Sequence, residues 1–174
     1  MTVNIVELGE QGLTDYLADL TDILHATVND GASVGFVLPY SQKDGRAFWL
    51  NEIKPFVSSG ARVLFAAMLE GKVVGTVQLD IIKMPNQQHR CEVAKLLVHP
   101  RFRNRGIAKM LMAVLEKCAQ ERGRHLITLD TRTGDTAEPL YHSLGYKTAG
   151  VIPEYCRAPD EERYDSTTYM YKHL

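Results

Sequence analysis

The sequence predicts an α/β (α+β) fold, a mixed central sheet with helices on both faces. An apolar strand over 89–98, a Pro-containing turn, an amphipathic helix from Ile107 and a second apolar strand over 125–130 follow one another directly. Strands joined through a helix in this way lie parallel, because the chain must cross the face of the sheet before it starts the next strand. On both sides of that unit the pattern changes to alternating stretches, over 62–69 and 73–84 about Glu70-Gly71-Lys72, and later over 146–152 and 164–173. Those read as antiparallel strands, so the whole sheet is mixed.

The remaining elements follow in chain order. Residues 2–8 alternate enough for an opening strand. Leu13, Tyr16, Leu17, Leu20 and Leu24 then recur at helical spacing, and Asn29-Asp30-Gly31 ends that helix. A second helix is expected around 48–57, with Pro55 disturbing its end. In the third, Ile107, Met110, Leu111, Val114, Leu115 and Cys118 fall on one face and Gly123 stops it. A short helix over 136–144 closes at Gly145. No repeat, linker or low-complexity tract divides the chain, and 174 residues suit one domain, 1–174, with a sizeable core.

Composition excludes several roles. A net charge of −1 argues against nucleic-acid and membrane-surface partners, which favour a basic excess. Cys91, Cys118 and Cys156 are odd in number with no C-x-x-C spacing, as expected of reduced thiols in a cytoplasm. There is no secretion-signal pattern at the N-terminus and no apolar run of spanning length. The histidines show no metal-ligand spacing, so no metal site is expected.

The run from Lys95 to Lys109 carries most of the functional information. Arg101, Arg103 and Arg105 lead into Gly106 and a helix, so backbone N–H groups converge where the helix dipole is positive. That is an anion site of the kind that holds phosphates. Neither G-x-x-x-x-G-K-[ST] nor a strand-following G-x-G-x-x-G is present. What stands here is Arg103-x-x-Gly106-x-Ala108, and Leu140-Tyr-His-Ser-Leu-Gly-Tyr146 follows later. Together these resemble the signatures of the GNAT (GCN5-related) N-acetyltransferases. Within that family, Gly31-Ala-Ser-Val-Gly-Phe36, Glu92-Val-Ala-Lys-Leu-Leu-Val98, Leu129-Asp-Thr131 and Tyr155-Cys-Arg-Ala-Pro-Asp160 are similar to the tabtoxin resistance group.

The resemblance implies the GNAT acyl-CoA N-acyltransferase fold, acetyl-CoA as cosubstrate and a small-molecule amine as acceptor. It implies a pyrophosphate on Arg103, Asn104, Arg105, Gly106, Ile107, Ala108 and Lys109, and a pantetheine arm bonded to Leu96 and Val98 at an open strand edge. The family's Asn after the later strand is replaced by Gly134. Tyr141 stands at the family's general-acid position. Glu92 and Asp130 are candidates for the base. Glu92 is read as sharing a strand face with Ala94, Leu96 and Val98. Asp130 ends an apolar strand, where the carboxyl ends of parallel strands form ligand crevices. Phe36, Trp49 and Tyr155 are expected neighbours of the acceptor, with a buried crossover as the equal alternative for 31–36. A protein amino-group acetyltransferase, a noncatalytic acyl-CoA sensor and a homodimer remain open at this stage.

Overall fold

The computed structural model describes residues 2–174. Seven strands form one sheet in the order β1-β2-β3-β4-β5-β7-β6. They are β1 (Asn4–Leu8), β2 (Arg62–Leu69), β3 (Lys72–Ile81), β4 (Arg90–Val98), β5 (Leu126–Arg132), β6 (Lys147–Arg157) and β7 (Tyr164–His173). Only β4 and β5 pair in parallel; the other neighbours are antiparallel. The crossover between the parallel pair is helix α5 (Ile107–Glu121), and α6 (Ala137–Ser143) follows β5.

The sheet has a core on each face. On one side Phe65, Val77, Leu79, Cys91, Val93 and Ile127 pack with Leu111, Leu115 and Tyr141 of α5 and α6. On the other, α1 (Glu10–Asp15) and α2 (Leu17–Asn29) bury Leu13, Leu20, Ile23 and Leu24 against Leu64, Ala66, Val73 and Leu97. No buried residue of β5, β6 or β7 belongs to this second core. That half of the second face is left as a polar floor without a helix above it.

Two local features differ from the sequence expectation. The helix expected over 48–57 begins earlier, as α3 (Gln42–Ala47), because Ser41 and Asp44 form a reciprocal capping box. It then widens into a π-turn (Phe48–Ile53) before α4 (Lys54–Ser58). Pro55 has no N–H to donate and its ring crowds the preceding turn, and a wider turn just before it accommodates both. This path carries Trp49 into the core at 0% exposure, with Nε1 donating to the Leu20 carbonyl at 2.9 Å. Trp49 is therefore a packing residue rather than part of an acceptor wall.

The second difference lies in β4. Gln78 faces Ala94 but Thr76 faces Leu97, so Lys95 and Leu96 together oppose Val77. This is a bulge, with Lys95 at φ 49°. A bulge reverses the alternation of the strand. Cys91 and Val93 pack toward α5, Leu96 and Val98 pack there too, and Leu97 packs toward α2. Glu92 thus lies on the α2 side and does not share a face with Leu96 and Val98. On α5 itself Met110 is 38% exposed, whereas Met112, absent from the expected stripe, is buried.

Gly75 of β3 lets α5 sit close to the sheet. A Cβ there would lie 3.0 Å from the Leu97 carbonyl oxygen and 3.2 Å from Cγ2 of Ile107. Gly75→Ala should therefore destabilise the protein by about 1–3 kcal/mol, the range for overpacking a close contact. Urea denaturation measures this, and an unchanged midpoint would mean that the helix-to-sheet spacing is not tight.

Candidate active site

The register of β4 with β5 stops early. Arg90, Cys91 and Glu92 face Leu126, Ile127 and Thr128, and no pairing continues beyond them. From there to Val98 the β5-facing edge of β4 is open. The His99 N–H donates to the Val74 carbonyl at 3.0 Å, so His99 aims its backbone groups at β3. By alternation, Val98 and Leu96 aim theirs away from β3 and into the opening.

The loop after β4 delivers further donors to the same place. Asn104 at φ 62° and Gly106 at φ 76° turn the backbone into α5, and Gly106 is its N-cap. No side chain caps this end. The first helical N–H groups, on Ile107, Ala108 and Lys109, are therefore left to an outside acceptor. A Cβ at Gly106 would meet nothing within 4 Å, so the glycine serves the left-handed turn and leaves the backbone bare. Arg105 lies over the Phe102 ring at 5.4 Å. Arg103 pairs with Asp30 at the end of α2 at 2.5 Å, and its Nε reaches the Val98 carbonyl at 3.4 Å. Its guanidinium is thus held across the open edge rather than in front of α5. His99 steadies the loop, accepting from the Arg101 N–H at 3.2 Å and facing Asp22 at 3.4 Å.

Tyr141 lies on the α5 side, 6% exposed, with its ring edge-on to Tyr146 at 5.7 Å. Burial, and secondarily the charge of Asp130, holds its phenol above the ordinary value. It stays protonated throughout the neutral range. Adjacent His142 turns away to the Tyr146 carbonyl.

Glu92 and Asp130 lie on the polar floor of the opposite face, where the strands separate. Glu92 pairs with Arg90 at 3.3 Å, and Arg90 also donates to the Thr128 hydroxyl at 2.9 Å. Asp130 is exposed and accepts from the Thr167 hydroxyl at 2.9 Å. Across from Asp130 stands Tyr169, whose hydroxyl is 2.9 Å from that of Tyr155. The bond to Tyr155, with smaller contributions from burial and from the charges of Asp130 and Glu92, pushes the Tyr169 phenol up to about 12.

A family model described as the acetyltransferase (GNAT) family matches residues 23–146, which span the loop, the strand opening and Tyr141. The chain belongs to the GNAT acetyltransferase family. It is an N-acetyltransferase whose acyl donor is acetyl-CoA, and the sensor reading falls away. An uncharacterised N-acetyltransferase from the hisH–hisA intergenic region of Azospirillum brasilense is 28% identical over 141 residues, covering 80% of this chain and 82% of the relative. The fold is that of an N-acetyltransferase from Staphylococcus aureus Mu50, with a TM-score of 0.79 at 16% identity and 99% of each chain covered. It is also that of yncA from Salmonella typhimurium, solved with acetyl-CoA, at a TM-score of 0.77 and 17% identity over 100% of this chain and 95% of the other.

The features of this acetyltransferase fit its donor. Bare helix N–H groups suit a pyrophosphate, and a free strand edge suits an amide-bearing arm. Gly134, at the family's Asn position, offers no side chain and gives its N–H to Glu138 at 2.8 Å. Of the three residues expected near the acceptor, Phe36 lines a pocket of about 160 Å³ with Ser33, Gly35, Val37, Cys156 and Arg157. Tyr155 is 46% exposed beside Tyr169, and Trp49 is in the core. Sequence reasoning missed Tyr169 and Lys95. Tyr169 had a signal, since alternation in the last strand sets it two residues from Thr167 on the floor side. Among the described residues no group of three or more His, Cys, Asp or Glu could hold a metal ion.

Gly106→Glu should abolish acetyl-CoA binding in calorimetry, because a carboxylate would stand before the bare N–H groups. Gly106→Ala should cost only the left-handed strain, about 1–2 kcal/mol of stability, with most affinity retained. Full affinity in the Glu variant would contradict the loop assignment.

Proposed function

We propose that this single catalytic domain, residues 1–174, transfers the acetyl group by direct attack of a small-molecule amine on the thioester, in the cytoplasm. The observation that carries the proposal is the divergence of β4 and β5, with an acid beneath it and two carboxylates above it. The N–H groups from Arg103 to Lys109 take the pyrophosphate, and Leu96 and Val98 bond the pantetheine arm. Arg103 must first release the Val98 carbonyl.

Two proton problems remain for the protein's own residues. A lysine-like amine costs about 4–5 kcal/mol to deprotonate at neutral pH, and an α-amine near 8 only about 1. Glu92 and Asp130 are the acceptors for that proton, through water on the open floor. Asp130, with one neutral hydroxyl donor, is less occupied than Glu92 in its Arg90 pair. Tyr141 supplies a proton to the departing thiolate. Its burial preserves that proton, and the charge of Asp130 reinforces the effect. A backbone N–H near Val98 faces the opening and can hold the developing oxyanion, a contribution of several kcal/mol in comparable sites.

The small-amine reading draws support from the acceptor side. The Leu38 N–H bonds the Pro159 carbonyl at 2.8 Å, and Ser33 meets Cys156 at 3.5 Å. The stretches similar to the tabtoxin resistance group, 31–36 and 155–160, therefore meet as one wall, and 129–131 lies in β5 of the floor. An amino-acid-like toxin or antibiotic suits such a crevice.

Tyr141→Phe should leave acetyl-CoA affinity intact and slow the single-turnover rate by roughly tenfold to ten-thousandfold. Because the Tyr141 proton is lost only above the ordinary phenol value of about 10, the wild-type rate should show no alkaline decline below that pH. A wild-type rate in the variant, or a decline starting near pH 8, would remove Tyr141 as the acid. Glu92→Gln and Asp130→Asn should each cost most at low pH, where more amine is charged. Their double variant should lose less than the summed single losses, since residues serving one proton path act as a unit. Additive losses with an unchanged pH profile would leave both carboxylates structural.

A further inference from the structure

Lys95 is a part-buried cation of this face without a carboxylate partner. Three arginines that flank it on the floor have carboxylate partners. Arg62 is held by Asp80 and by Gln78, Arg90 by Glu92, and Arg132 by Asp135 at 3.1 Å and Asp165 at 3.6 Å. For Lys95, no carboxylate among the described residues lies within ion-pairing distance. Its Nζ donates to the Val34 carbonyl at 2.5 Å and stands 5.2 Å from the Phe36 ring centre and 5.7 Å from that of Phe48. One carbonyl and two ring faces do not satisfy three N–H donors and a half-buried charge. Burial accordingly holds the ammonium below its ordinary value, the nearby Arg62 adds to this, and Asp130 partly offsets it.

The backbone pays for this placement. A lysine at φ 49° is strained, and without the bulge the side chain would not be directed as it is. A Cβ at Gly35 would come within 3.3 Å of Nζ, and Gly35 borders the pocket lined by Phe36 and Cys156. An uncompensated cation on a strained bulge thus stands directly beside Gly35 and Phe36, two residues of that pocket's lining.

We infer that Lys95 binds a carboxylate of the acceptor, making the substrate class an amino acid or amino-acid-like molecule whose amine faces Glu92 and Asp130. This rests on the small-amine reading above and narrows it. An anion there supplies the missing partner for Nζ and fixes the acceptor at one end, while the floor carboxylates attract the ammonium at the other. Lys95 is a specificity residue and takes no part in the chemical step.

The test compares the twenty common amino acids with their carboxamides as acceptors for acetyl-CoA, on wild type, Lys95→Gln and Lys95→Arg. Lys95→Gln keeps an N–H donor for the Val34 carbonyl and removes the charge, and Lys95→Arg keeps the charge. Wild type should favour at least one free acid over its amide by tenfold or more in kcat/KM. Lys95→Gln should lose that preference through a raised KM for the acid, with kcat for the amide unchanged, and Lys95→Arg should retain part of it. Acetyl-CoA affinity should be equal in all three. Equal losses toward acid and amide in Lys95→Gln would reduce Lys95 to a tether of the wall and overturn the inference alone. So would acetylation of amides with no preference for any acid. If wild type acetylates no member of either series but acetylates simple amines without a carboxylate, the inference is overturned and the small-amine reading stands; if it acetylates neither set, the small-amine reading fails as well.

Discussion

The parting of β4 from β5 after Glu92 and Thr128 is the constraint on which the rest of the molecule depends. Paired strands satisfy one another's backbone groups, so the early end of pairing leaves a row of donors and acceptors facing an opening. The parallel crossover brings the start of α5 to that same opening. Gly75 allows the helix to approach the sheet, and Gly106 turns the chain into it without a capping side chain. Strand edge and helix end thus present unpaired N–H groups to one extended ligand.

The two faces of the sheet give the candidate acid and the candidate bases different surroundings. Tyr141 is enclosed by the α5 core, where low solvation keeps its proton. Glu92 and Asp130 lie on the floor that α1 to α4 leave uncovered, in contact with Arg90 and the Thr167 hydroxyl respectively. The separated strands open a passage between these surroundings. The charge of Asp130 is felt at Tyr141 although the two lie in different environments.

Much of this was legible in residue order. The parallel pair follows from strand, helix and strand in succession, and the loop announces itself through three arginines and a glycine before an apolar helix. The bulge at Lys95 was not legible. Bulges that need a left-handed residue usually show a glycine, and here a lysine occupies φ 49°. Simple alternation therefore put Glu92 on the wrong face. Trp49 misled for a similar reason: its burial depends on a π-turn and on the Leu20 carbonyl 29 residues away, neither of which leaves a local pattern. Tyr169 reaches the site only because β7 enters between β5 and β6, a matter of strand order.

Amide hydrogen exchange, resolved by residue and followed with and without acetyl-CoA, tests the open edge most directly. In the free protein the Leu96, Val98, Ile107, Ala108 and Lys109 amides should exchange quickly, while neighbours inside regular pairing, such as His99, exchange slowly. Acetyl-CoA should protect the first set strongly and leave His99 little changed. Slow exchange at Leu96 and Val98 in the free protein, or no protection on adding acetyl-CoA, would contradict a donor site built on the divergence of β4 and β5.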